Sequence, residues 1–459
     1  MVNHMKRTVG IVGGGAAGMT AAIAAARCGA EVTILEGGER LGKKILSTGN
    51  GKCNLGNTEL GEAWYYTNDP SFLRARLEQF GTEDTIAFFR SLGLMVKQVN
   101  GGLYPVSEQA SSVLDVLRFE VRELGIRVLT GHPVTALTRE DGTGKLKVHT
   151  PGAQRGFDRV VLACGGKAAP KTGSDGSGYR LAKSLGHSLV PVVPALVQLK
   201  CREDWFPSVA GVRAKAAVTL GQRTDGMQAD RELMGRMPDA GGQTDRGLMG
   251  RTPVEDSGQT DGTLTETGEV QFTDYGISGI PVFQLSRAVN YALRERAEVE
   301  IVLDFLPGRL CREWEYTGAL LRERLSIAGS RTVEEYFAGT LNKKLMSLFI
   351  RLAGLRASEP VRNVPEEKLC RVWELCRGLT VHATGSKSFD SAQVCAGGVP
   401  LSELKETMES RKVPGVFFAG ELLDVDGKCG GYNLQWAWCS GYLAGRAAAE
   451  RETGFYFRG

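Results

Sequence analysis

Residues 8–36 carry, in order, a short apolar run, a small-residue stretch at helical spacing and a β-branched run: Val9–Val12, Ala16–Cys28 and Glu31–Glu36. Such runs bounded by glycine suit buried strands, so this segment reads strand, glycine turn, helix, strand. Pro70–Gly81, Glu83–Leu92 and Val113–Leu124 carry helical patterns. Short strands are predicted at Arg127–Leu129, Pro133–Thr138 and Lys145–Thr150, and a buried one at Arg159–Ala163 ahead of Gly165-Gly166. From about Ala195 the pattern alternates. Ala195–Cys201, Val212–Leu220, Glu269–Thr273 and Val299–Leu303 predict a β-rich region, with a helix over Val282–Leu293. Residues from about Gly308 to Arg377 are mostly helical in pattern. The tail returns to a strand at Gly415–Ala419, a glycine-rich loop, and a helix over Leu434–Glu450.

Between the alternating segments the pattern stops. Gly-Gln-Arg-Thr-Asp-Gly, Gly-Gln-Thr-Asp-Arg-Gly and Gly-Gln-Thr-Asp-Gly recur at Gly221, Gly242 and Gly258, and Leu-Met-Gly-Arg occurs at Leu233 and Leu248. The copies are unevenly spaced and have no aliphatic stripe, so a solenoid is excluded. A polar loop inserted over 221–267 is the expectation, with a lid or docking segment as the alternative. The order of elements predicts an α/β chain with a discontinuous Rossmann-type nucleotide domain. Its parts are 1–194 and 379–459; a β-rich substrate domain (195–307) and a small helical cap (308–378) lie between them.

Composition adds exclusions. The 459 residues suffice for several cores. A net charge of +4, with no basic run of five or more, gives no reason to expect a nucleic-acid partner. No apolar stretch reaches the roughly 18–20 residues of a membrane span, and the basic N-terminus runs straight into the first strand, unlike a secretory signal. Ten scattered cysteines without CxxC pairs, beside five histidines, argue against a metal centre and fit a cytoplasmic setting.

The chemistry starts at Gly13-Gly14-Gly15-Ala16-Ala17-Gly18, a G-x-G-x-x-G between strand and helix, with Glu36 ending the next strand. Gly13 allows the tight turn, Gly15 lets backbone approach a pyrophosphate, and Gly18 lets helix and sheet pack closely. The helix end presents amides to phosphate, and Glu36 can take ribose hydroxyls. The acid favours FAD or NAD over NADP. A long polar loop follows, from Arg40 through Lys43, Lys44, Ser47, Thr48 and Gly49 to Asn54. It suits a cofactor longer than NAD, an ordinary surface loop being the alternative. Lys43 and Lys44 face phosphate or solvent.

With these residues the chain resembles the bacterial flavoprotein family of the YhiN/BaiN type, whose members are labelled aminoacetone-oxidase-like or bile-acid reductase. The resemblance covers nearly the whole chain outside 221–267. Its marks are the Ser47–Asn54 loop, Gly102–Ser107, Leu162–Gly166 with Pro170–Gly176, Gly276–Gly279, and above all Phe418–Gly427 and Gly430–Ala437. Departures are Lys52 in place of the common arginine, Leu55-Gly56-Asn57 in place of Val-Thr-Asn, and Cys164 and Cys429 in place of small hydroxyl residues. They bear on substrate preference, not on FAD.

The resemblance implies that Ser47, Thr48, Gly49, Asn54 and Gly165 lie along FAD and that Val134 meets its adenine side by backbone. Gly420 and Glu421 close a strand that can bring an acid to the ribityl or pyrophosphate region. Asn433, Leu434 and Gln435 open a helix whose amides can stabilise the reduced ring. Tyr432, Tyr104 and His382 are candidate proton donors, with packing or cofactor positioning as the alternative; Cys53 and Cys429 read as structural or flavin-adjacent thiols, with a redox role as the alternative. No second nucleotide fingerprint follows, so a nicotinamide donor, NAD(P)H, has to dock transiently. The leading expectation is hydride transfer to an activated carbon–carbon double bond in a hydrophobic enone, steroid-like by the family's bile-acid member. An amine oxidase acting on a small amino-ketone with oxygen, and a non-catalytic or RNA-associated flavoprotein, are the rivals.

Overall fold

The computed structural model describes residues 6–140, 144–221, 264–306 and 318–450. The repeats of the inserted segment lie outside them. The chain divides into two compact units: one runs to Pro194 and resumes at Phe389, and the other holds the described residues from Ala195 to Ser388.

The first unit is built on a five-stranded parallel sheet. Its order is Val416–Phe418, Arg159–Leu162, β1 (Thr8–Val12), β2 (Glu31–Leu35) and Arg127–Leu129. Val12 stands in register with Leu35 on one side and Leu162 on the other. The strand from the chain's far end adds beside Arg159–Leu162, in register at Val160↔Val416. β1 and β2 are buried beyond their first residues, as suits short apolar and β-branched runs.

Helix α1 (Ala16–Arg27) is buried from Ala17 to Ala25, so it has no polar face. Its small residues serve a close helix–helix contact. A Cβ on Gly441 would lie 2.4 Å from the Ala17 carbonyl oxygen, and one on Gly445 would lie 2.2 Å from that of Ala21. Two glycines four apart therefore let the C-terminal helix, Tyr432–Ala449, lie directly on the backbone of α1. That helix starts two residues before the predicted Leu434. Trp436 and Trp438 are buried in the same core, and the indole of Trp438 donates to the Leu55 carbonyl at 2.9 Å.

The second unit contains a closed six-stranded antiparallel barrel. Around it run Leu199–Cys201, Gly276–Ser278, Thr265–Thr273, Arg213–Leu220, Val299–Asp304 and Leu379–Ser386, the last pairing back onto the first. Alternate residues point inward: Ala216, Val218 and Leu220 on one strand, Val299, Ile301 and Leu303 on another.

Two expectations need correction here. The polar insert ends before 267, because Thr265, Glu266 and Thr267 pair with Thr219, Val218 and Ala217. Their polarity hid a strand that is only half buried. Leu379–Ser386 belongs to the barrel, so the return to the first unit comes after it. The Gly276–Gly279 mark is explained by packing: Gly276 (φ +151°) and Gly279 (φ +113°) lie where a Cβ would meet the Leu199 and Glu269 carbonyl oxygens at 2.3 and 2.2 Å. Helices Lys343–Leu352 and Glu366–Gly378 share one apolar core with the barrel, through Phe349, Trp373, Phe305 and Phe272. No described helix is long and apolar enough to cross a membrane.

Candidate functional site

β1 has neighbours on both sides that are reached by connections running in opposite directions, so a crevice opens at the carboxyl ends of β1 and Arg159–Leu162. Open α/β sheets place ligands at such a switch point. A cavity of about 680 Å³ occupies it, inside the first unit. That is within the ~300–1,000 Å³ usual for small-molecule sites.

One end of the cavity is the α1 terminus. Gly13 takes φ +99°, and a Cβ there would meet the Ala163 carbonyl oxygen at 2.5 Å. Gly15 caps the helix with open space where a Cβ would stand. The amides of Gly15, Ala16 and Ala17 precede the first helical bond, Met19 N–H to the Gly15 carbonyl, and an α-helix leaves such amides without an internal partner. Gly13, Gly15, Ala16 and Ala17 all line the cavity. Gly18 does not; a Cβ there would fall 1.9 Å from the Gly13 oxygen, so its part is packing. Glu36 lines the cavity and accepts from Gly14 N–H at 2.6 Å and Gly38 N–H at 2.7 Å. A carboxylate has roughly four acceptor positions, so it retains capacity for further donors.

The middle holds charge. Lys44 and Glu421 form an ion pair at 2.8 Å, both partly exposed to the cavity. The Glu421 carboxylate also accepts from Cys395 N–H at 2.8 Å and Gly166 N–H at 3.3 Å. One side chain thus joins four segments far apart in sequence. Lys43 donates to the Lys171 carbonyl at 2.7 Å. Thr48, Val134, Gly165 and Gly420 line the cavity as well.

The other end is the start of the C-terminal helix. Gly431 caps it at φ +97°, and the first helical bond is Gln435 N–H to the Gly431 carbonyl. Asn433 and Leu434 precede that bond and line the cavity. The Asn433 carboxamide makes two bonds to one residue: Oδ1 accepts from Gly427 N–H at 2.9 Å and Nδ2 donates to the Gly427 carbonyl at 2.7 Å.

Five residues named with the cofactor loop or helix stand outside the lining. Gln435 is fully buried, bonded to Thr85 at 3.0 Å and to the Gly81 carbonyl at 3.1 Å. Asn54 accepts from Leu103 N–H at 3.2 Å. Ser47 turns back to the Lys44 carbonyl at 2.8 Å. Gly49 holds a left-handed turn at φ +55°, and Gly18 packs as described.

The proposed proton donors also stand apart from the lining. Tyr432 is the first residue of the C-terminal helix, buried, stacked on Trp64 at 5.2 Å and edge-on to Tyr65. Burial raises its pKa above the ordinary phenol value. Tyr104 lies on the strand Gly102–Pro105. His382 belongs to the barrel of the second unit, where Nδ1 meets Glu203 at 2.7 Å and Nε2 meets Glu300 at 3.3 Å. Cys164 is in the lining, and Cys395 backs it. Burial first, with Glu36 and Glu421 respectively adding to it, pushes both thiols up to about 12.

Sequence reasoning left out part of the wall. Pro170–Asp175, Ser177 and Arg180 line it, as do Gln393, Val394 and Val425. The Pro170–Gly176 loop was visible as a mark of the family resemblance, but nothing in the pattern showed which way it faced. Gln393 and Val394 follow the second unit in sequence and carry no signal.

With the geometry in view, the chain compares with known proteins as follows. The family model described as HI0933-like protein Rossmann domain matches residues 7–447. A 3-dehydro-bile acid delta(4,6)-reductase of Clostridium scindens is 43% identical over 96% of this chain and 99% of its own length. A ribosomal RNA dihydrouridine synthase of Haemophilus influenzae is 26% identical over 94% of this chain and 96% of its own. Among solved structures, the open conformation of a flavocytochrome c3 fumarate reductase aligns at 17% identity and TM-score 0.45, covering 97% of this chain and 78% of that one.

Proposed function

The chain belongs to the HI0933-like Rossmann family, and from that premise we propose that it is an FAD-dependent reductase. Its reaction saturates a carbon–carbon double bond conjugated to a carbonyl in a hydrophobic enone such as a 3-oxo bile acid, with NAD(P)H as electron donor. The observation that carries this reading is the donor set of the cavity. Two helix N-termini, the acid that follows β2 and an ion pair all line one cavity.

That set fits FAD. The amides of Gly15, Ala16 and Ala17 form an anion site at a helix N-terminus, where the open position at Gly15 leaves room for a pyrophosphate. Glu36 would take the adenosine ribose. Glu421 would supply acceptors for the ribityl hydroxyls, with Lys44 offsetting its charge. The amides at Asn433 and Leu434 would stabilise the charge that the ring gains on reduction. When bound, FAD supplies the hydride chemistry that no side chain here possesses. Tyr432, Tyr104 and His382 lie outside the cavity lining, so none of them is assigned the accompanying proton.

The 43% relative supports a steroid-like substrate. A second reading, reduction of uracil rings in RNA, is favoured by the 26% relative. Both readings add hydrogen across a carbon–carbon double bond conjugated to a carbonyl, so the proposed chemistry is common to them. Anaerobic titration of the purified yellow protein separates the cases. Bleaching by NADH or NADPH, followed by reoxidation with a 3-oxo-4,6-diene bile acid, is the expected result. Reoxidation by unmodified ribosomal RNA alone supports the second reading. Bleaching by aminoacetone with peroxide release in air, and none by either nicotinamide, overturns the reductase.

A further inference from the structure

We propose that the side chain of Asn433 is a positioning residue, a clasp that fixes the helix-end amides against the bound ring and so sets the reduction potential of the cofactor. The inference rests on the FAD reading above. The carboxamide is committed on both its polar atoms to Gly427, at 2.9 and 2.7 Å. These two bonds tie the turn Gly427–Asn433 into a closed loop. The turn needs such a tie: Gly430 and Gly431 sit at φ +133° and +97°, conformations that other residues rarely adopt, and glycine does not hold them rigidly.

The base of the loop is fixed from outside. Asn57 Nδ2 donates to the Gly430 carbonyl at 3.1 Å, and a Cβ on Gly431 would lie 2.6 Å from Asn54 Oδ1. Beyond the first turn, Gln435 is anchored to Gly81 and Trp438 to Leu55. The span between these anchors holds Asn433 and Leu434, both in the cavity lining, and the Asn433 side chain closes it onto Gly427.

Fixed dipoles stabilise charge only when they do not have to reorient as the charge appears. A loosened helix end therefore costs the reduced, anionic ring more than the oxidised, neutral one. Asn433→Ala removes both bonds. Asn433→Asp is nearly isosteric and keeps the acceptor for Gly427 N–H. It loses the donor and adds a negative charge beside the helix end.

The test is the midpoint potential of protein-bound FAD, measured by dye-coupled anaerobic titration, with the dissociation constant of oxidised FAD measured in parallel by flavin fluorescence. Both variants are expected to favour the reduced ring about tenfold less than wild type does, a potential lower by about 30 mV for a two-electron couple. Asn433→Asp is expected to fall further, with oxidised FAD still bound. Variants that bind FAD and keep the wild-type potential overturn the clasp and leave the FAD reading standing. Wild-type protein that takes up no FAD overturns both. Asn433→Asp keeps the question decidable if Asn433→Ala does not fold.

Discussion

Gly441→Ala tests whether the contact between two helices governs the cofactor end of the cavity. In the structure the new Cβ would stand 2.4 Å from the Ala17 carbonyl oxygen and 3.0 Å from its Cα, both backbone atoms. Ordinary contact begins near 3.4 Å, so α1 and the C-terminal helix must separate locally by about 1 Å. Overpacking of this kind costs about 1–3 kcal/mol. For a unit of this size that is a fall in Tm of about 2–4 °C per kcal/mol. Ala17 also lines the cavity, so the displacement moves the first-turn amides proposed to hold the pyrophosphate.

Gly445→Ala is the control. Its Cβ would meet Ala21 at 2.2 Å, an equal or worse clash, one turn further along α1 and outside the cavity lining. Both variants are expected to lose similar stability as apoprotein, a state free of the stabilisation that bound ligand adds. Gly441→Ala alone is expected to weaken FAD binding by about tenfold or more, equivalent to about 1.4 kcal/mol. Circular dichroism melts and flavin fluorescence titrations give the two numbers. Equal FAD affinities in two equally destabilised variants refute the argument that this contact places the amides.

Three other outcomes are expected. For the Lys44–Glu421 pair, a double-mutant cycle of Lys44→Met and Glu421→Gln on FAD affinity is expected to show a coupling of about 0.5–2 kcal/mol, the partial exposure of both side chains holding it down; additivity within about 0.3 kcal/mol counts against the pair.

Acid is expected to destabilise the first unit through His187 and Glu403. Burial lowers the His187 pKa, outweighing the Glu403 bond that raises it. Burial acts to raise Glu403, but hydrogen bonds from Lys412, Ser188 and His187 win and hold it at about 2. Both folded values lie below the unfolded ones, about 6.5 and 4.3, so the folded state binds fewer protons. The His187 contribution is full above about 6.5 and fades just below it, and the Glu403 contribution goes between about 4 and 2. Glu403→Gln is expected to flatten the lower limb of a stability–pH curve; an unchanged limb contradicts the assignment. At pH 7 iodoacetamide is expected to label exposed Cys28 and to leave Cys164 and Cys395 intact, since both have pKa values near 12. Peptide mapping by mass spectrometry reads this directly.

What the sequence determined by itself is local. Short apolar and β-branched runs bounded by glycine suit buried strands, so β1 and β2 were legible, and the fingerprint between them is a backbone requirement that three glycines satisfy. The acid at Glu36 was legible for the same reason, since its place follows from the end of a strand. Tertiary structure decided what depends on two distant segments meeting. Gly18 and Gln435 share their motifs with cavity residues yet serve packing, because motif spacing does not say which face of a helix meets a neighbour. The stripe Gly441–Gly445 reads as a weak spot in a helix until α1 lies across it. Thr265–Thr267 look like loop until Thr219–Ala217 give them partners, because a half-buried strand carries its evidence in hydrogen bonds and not in apolar side chains. Glu421 joins Lys44, Gly166 and Cys395 only because the central sheet brings its last strand, just over four hundred residues along the chain from its first, into the same plane.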